Sequence, residues 1–229
     1  MAVVKQARPK AENEVEVDRA QDFWTANGRK IMIAGAALII LIGGYFAYNS
    51  FIVAPKEKKA SEAIFKAEEY FRMDSLQKAL NGDGQFPGFE RVISQYGGTK
   101  AGNMAKFYAG SIYLQLGQHD KAINYLKDFE TDSDQVQARA YKLLADAYGD
   151  QGKNKEALAN YKKAAYEFED EGLSTSEYLF MAAYFADKVM NDKDQAIELY
   201  KEVKTKFPRS SFAMEADRYL GALGVYEVE

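Results

Sequence analysis

The chain contains no cysteine. Disulfides, thiolate metal sites and cysteine nucleophiles are excluded together, while the compartment stays open, because a chain without thiols suits an oxidising or a reducing space equally. Histidine occurs once. His119 sits in LGQHDKA, a polar turn between two apolar runs, the setting of a solvated residue rather than of a catalyst or ligand. Proline is limited to four residues and glycine to 17, while alanine, leucine, lysine and glutamate fill long stretches, so helices are favoured over sheets. No nucleophile–base pair, phosphate-cradling glycine loop or histidine–carboxylate cluster is present, and neither an enzyme, a cofactor nor a small-molecule substrate is expected.

Residues 1–30 hold six basic and five acidic groups, which leaves the remainder with 24 basic and 29 acidic residues. A net negative body repels a phosphate backbone, so nucleic acid is not an expected partner. The acidic run Glu169, Asp170, Glu171 and Gly172, and TDSDQ at 131–135, lack the glycine and terminal glutamate of a calcium loop. Both read as solvated turns, and no metal site is expected.

From Ile31 to Val53 the chain carries no charge for 23 residues. As a helix at ~1.5 Å per residue this run is about 35 Å long, enough to span a bilayer. It is too long and starts too late for a cleaved signal peptide, and Pro55 follows without a small-x-small site. Phe23 and Trp24 on one side, with Tyr45 and Tyr48 toward the other, suit the headgroup boundaries. Arg29 and Lys30 at the entry are balanced by Lys56, Lys58 and Lys59 at the exit, and only the whole short tail favours a cytoplasmic N-terminus. Gly43 and Ala47, four apart, form a small-residue face that would let another transmembrane helix approach.

After the anchor the sequence repeats. The alanines Ala122, Ala157 and Ala196 are 35 and 39 residues apart. Gly110 and Ala145 stand where a small residue lets two helices close, with Tyr113 and Tyr148 three residues on and Gly117 and Gly152 at the turn. Leu126, Tyr161 and Tyr200 follow four residues after each alanine. A small residue facing a large one makes an antiparallel helical hairpin, and stacked hairpins bury one continuous core. This spacing resembles the tetratricopeptide repeat family. Lys106 and Phe180 replace the usual opening tryptophan, Pro208 alone keeps the closing proline, and Tyr184 falls in the small-residue slot of the third unit.

The expected layout is all-α: a tail over 1–30, a single transmembrane helix over 31–53, then an α-solenoid. Within the solenoid, a degenerate first hairpin covers 54–98, with EAIFKAEEYFRMDSLQKAL as one helix ending at Asn81-Gly82 and FPGFERVISQYGGT as a shorter one. Three hairpins and a capping helix from the SSFAMEADRYLGALG stretch cover 99–224, and 225–229 form a tail. By the family's geometry the inner, partner-binding face carries Met104, Phe107, Ser111 and Leu114, then Arg139, Lys142 and Asp146, then Tyr178, Met181 and Phe185. Asp146 stands where a two-carboxylate clamp needs asparagine, which argues against a chaperone-tail receptor. Phe107, Tyr178 and Phe185 read as core aromatics somewhat more than as groove residues, because YLFMAAYF is apolar on nearly every side.

An uncharged anchor about thirty residues in, a lysine-rich exit and a repeat body together resemble membrane-anchored proteins of the ancillary Sec translocon subunit (YfgM-like) family. MDSLQKALNGDGQFPGFERVISQY and TKAGNMAKFYAG look like the version carried by Bacteroidetes. The resemblance implies a single-pass bacterial inner-membrane scaffold with a periplasmic C-terminal body. Its implied partners are translocon subunits, a periplasmic chaperone or emerging envelope proteins. An alternative is an adaptor linking inner-membrane machinery to cell-wall or outer-membrane factors.

Overall fold

The computed structural model describes residues 12–167 and 173–226, with the side chains of 21–167 and 174–226. The acidic run at 169–172 lies outside the described residues. Among the described residues there is no strand, only an isolated bridge between Gly82 and Pro87. The chain divides into two compact units, 1–55 and 56–229.

The first unit is α1 (Glu12–Tyr48) and a π-helical turn (Asn49–Val53). One helix is long and apolar enough to cross a membrane, and none of its apolar window is buried within the molecule. Trp24 lies along the helix because Gly28, one turn on, has no side chain; a Cβ there would meet the indole at 3.3 Å. Pro55 follows the π turn. Proline lacks an N–H and its ring collides with the carbonyl four residues back, and widening the preceding turn relieves that collision. The Ala54 N–H accordingly donates to the Asn49 carbonyl, five residues back.

The second unit continues with α2 (Ala54–Arg72), α3 (Leu76–Asn81) and α4 (Phe89–Tyr96). The single helix expected up to Asn81 is broken. Asp74 takes a left-handed conformation (φ 55°), and the Ser75 N–H closes back onto the Tyr70 carbonyl at 2.9 Å. Aspartate is one of the few residues besides glycine that reaches this region at low cost, which is why no glycine marks the stop.

Three hairpins follow: α5 (Lys100–Gln115) with α6 (His119–Lys127), α7 (Asp134–Asp150) with α8 (Asn154–Tyr166), and α9 (Leu173–Lys188) with α10 (Lys193–Lys206). Thr99 caps α5 by accepting from the Gly102 N–H, and Asp192 caps α10 by accepting from the Gln195 N–H. The first two hairpins turn at Gly117 and Gly152, both at positive φ, where Gln118 and Lys153 donate back to the Tyr113 and Tyr148 carbonyls. Ala122, Ala157 and Ala196 are fully buried. Gly110 faces Leu126 so closely that a Cβ would lie 2.6 Å from its Cγ.

The third hairpin departs from the expected register. Its turn uses Asn191 (φ 53°) in place of glycine, and the Asp192 N–H reaches back six residues to Ala186, not five. One extra residue therefore precedes the turn. The small-residue slot falls on Ala183, which is fully buried with Ala196 and Tyr200, and Tyr184 turns outward at 42 % exposure. The hairpin packs regularly after all.

Finally α11 (Ser211–Ala222), capped by Ser210, lies across α9 and α10 and ends at Gly224 (φ 82°). It buries Ala213, Ala216 and Leu220, stacks Tyr219 on Tyr200, and leaves Met214, Asp217 and Arg218 exposed. Each large side chain buried this way contributes about 1.5–3 kcal/mol. The fold class is an all-α solenoid with a capping helix, preceded by one apolar helix of spanning length.

Candidate protein-binding surface

Side chains at i, i+3, i+7 and i+10 share one face of a helix, so the inner-face residues of each first helix are fixed by α5, α7 and α9. On α5, Met104 and Leu114 are half-buried and reach solvent, while Ser111 is buried. Phe107 is only 6 % exposed and packs on Phe129 and Tyr108 with ring centres 5.4 and 5.7 Å away. Phe185, 8 % exposed, is pressed between Gly149 and the ring of Tyr161. Both phenylalanines therefore sit in the core between hairpins. Tyr178 and Met181 are half-buried against that core.

The middle hairpin supplies the charge. Lys142 pairs with Asp146 at 2.7 Å, and the other oxygen of Asp146 accepts the Tyr161 hydroxyl at 2.6 Å. Burial first, and the Asp146 carboxylate second, push the Tyr161 phenol far up, so it stays a donor. Lys142 and Asp146 thus satisfy each other. Arg139 is exposed and has no ion-pair partner among the described residues. Its charge acts on hairpins one and three alike, since burial raises the phenols of Tyr108 and Tyr178 and Arg139 pulls both back. An exposed guanidinium between two half-buried tyrosines is suited to a carboxylate or a backbone carbonyl.

The one-residue shift adds residues that equal spacing misses. Phe180 touches Tyr184, Tyr200, Phe212 and Tyr219, and Tyr184 stands edge-on to Tyr219 at 5.7 Å. Asn191 was the signal that could have shown it, being the left-handed residue that replaces the turn glycine. His119 opens α6 half-buried, with Nδ1 3.5 Å from the Asp150 carboxylate of the next hairpin. On α1, Gly43 has open space around it and Ala47 is exposed.

A groove of about 950 Å³ opens between α2, the start of α5 and the α6–α7 turn, and Met104 lines it. A second recess of about 400 Å³ lies at the far ends of the first helices, among Leu114, Asp146, Asp150 and Val189. Among the described residues no three carboxylate or histidine side chains are placed to hold a metal ion.

Tetratricopeptide repeat family models match residues 107–129, 138–170 and 177–210, one stretch for each hairpin. No curated protein matches the chain. The chain carries tetratricopeptide repeats, which typically form a non-catalytic surface for binding other proteins.

Proposed function

We propose that this chain is a membrane-anchored adaptor whose repeats hold protein partners on the periplasmic side of a bacterial inner membrane, beside the Sec translocon and its chaperones. One observation carries the general reading: an apolar helix of bilayer length stands before a body of three tetratricopeptide hairpins. On the first helices, the exposed or half-buried Met104, Leu114, Arg139, Lys142, Tyr178, Met181 and Tyr184 are side chains that a partner can touch. No catalytic role is assigned to any of them. The periplasmic orientation and the translocon are supported by the resemblance in layout and by the charge of the short tail. Gly43 and Ala47 offer the bilayer-embedded partner a close approach.

Protease added to spheroplasts should digest the body and spare the N-terminal tail. In-membrane crosslinking followed by mass spectrometry should then recover Sec subunits. A protected body with a cleaved tail reverses the orientation, and recovery of division or outer-membrane components alone replaces the translocon with envelope assembly.

A further inference from the structure

We infer that the groove between α2 and the first full hairpin holds a partner segment in which apolar side chains are flanked by lysine or arginine. The inference rests on the protein-binding reading above and gives that partner its chemistry. The groove exists because the first hairpin is degenerate. Helix α4 meets α5 backbone to backbone at Gly102, where a Cβ would lie 1.9 Å from the Tyr96 carbonyl oxygen. No such approach joins α2 to α5. Instead α2 is held by side chains along its length: near its start Glu57 accepts the Lys100 N–H at 2.9 Å, and near its end Phe71 packs on Tyr108 with ring centres 5.2 Å apart. Between them Ala60, Ile64 and Ala67 are buried, and the groove opens beside that seam, lined on α2 by Ser61, Ile64 and Glu68.

The opposite wall is also fixed. Asn103 donates to the Glu130 carbonyl, and Gln137 accepts the Thr131 N–H at 3.0 Å, so the α6–α7 turn is pinned to α5 and α7. A groove with pinned walls is formed before its occupant arrives, which lowers the ordering cost of binding. Its volume of about 950 Å³ is near the upper end of the roughly 300–1,000 Å³ of small-molecule sites, room for several side chains.

Ile64, Ala101, Met104 and Phe129 give the groove an apolar floor. Glu68, Glu130 and Asp132 stand around it, and Lys100 is the one cation among its lining residues. Three carboxylates against one ammonium, on a body that is itself net acidic, attract a basic segment and repel an acidic one. A second copy of this acidic body is disfavoured for the same reason. Apolar side chains would fill the floor, and flanking cations would meet the rim.

The test uses the full chain in phosphatidylcholine nanodiscs, with empty discs as the blank. The probes are two fluorescein-labelled ten-residue peptides, one alternating leucine with lysine and the other leucine with glutamate. The lysine peptide should bind at least about tenfold more tightly, with affinity falling as salt rises. The combined variant Glu68→Gln, Glu130→Gln, Asp132→Asn, near-isosteric and at no buried side chain, should abolish that preference while circular dichroism stays unchanged. Equal binding of the two peptides, or a preference that survives neutralisation, overturns the inference. A photo-crosslinker at Met104 in cells supplies the second arm. Captured segments should carry lysine or arginine beside apolar residues; acidic segments, or segments of this same chain, overturn it. Capture at Tyr178 with none at Met104 overturns the groove and leaves the protein-binding reading standing, whereas no capture at either position overturns both.

Discussion

Asp83 holds together the loop between α3 and α4. One carboxylate oxygen accepts the Tyr70 hydroxyl at 2.6 Å, and the other accepts the N–H groups of Gln85 and Phe86 at 2.9 and 2.7 Å. These bonds, the tyrosine's first, lower its pKa to about 2 from an ordinary 3.8. The folded value is depressed, so the stabilisation is complete above the ordinary value and is lost as pH falls through about 2. Asp83→Asn should therefore lower the thermal midpoint at pH 7, with the difference from wild type shrinking below pH 4 and vanishing only below pH 2. A constant difference across that range would mean that the carboxylate charge is irrelevant. Gly82 beside it is equally constrained, since at φ 85° a Cβ would lie 2.3 Å from the Phe86 carbonyl oxygen.

Between elements, the decisive contacts are made by residues too small to notice. At Gly110 the obstacle to a Cβ is the Leu126 side chain, which can give way. At Gly102 the obstacle is the backbone of α4, which cannot move without displacing the helix. Gly102→Ala should cost about 3 kcal/mol, seen as a lowered midpoint in thermal or urea unfolding, despite alanine's better helix propensity. A neutral result would show that α4 does not pack on α5 at this position. The regular spacing of Ala122, Ala157 and Ala196 made the hairpins legible from sequence, because only a small side chain serves where two helices cross. The extra residue before Asn191 was hidden, since counting back from Ala196 assumes a constant turn length and so lands on Tyr184 instead of Ala183. The break at Asp74 escaped because the helical spacing of apolar residues runs on across it. Phe107 lies on the side the repeat pattern assigns to the inner face and Phe185 reached it only through the miscounted register, and Phe129, Gly149 and Tyr161 cover the two rings. That burial depends on helices distant in sequence, which no local pattern reports.

At the scale of the whole molecule, stability is shared along the stack. Two clusters of buried side chains, one from Ile64 to Ala147 and one from Ala145 to Leu220, overlap at the middle hairpin, so each hairpin leans on its neighbours. The last depends on α11. A chain cut before Ser211 would uncover Phe180, Tyr200 and Val203, and it should melt at lower temperature and bind a hydrophobic dye in native buffer. Full-length behaviour from the truncated chain would show that α11 is dispensable. The outer side of α11 shows Met214 at 71 % exposure, Asp217 paired with Lys204 at 2.6 Å, and Arg218 paired with Glu215. A bare end of such a stack would accept the first helix of another copy, a head-to-tail contact that never closes and grows into a fibre. An incoming copy instead meets two ion pairs that it would have to strip of water. The charges on α11 thus disfavour a head-to-tail contact at this end of the stack.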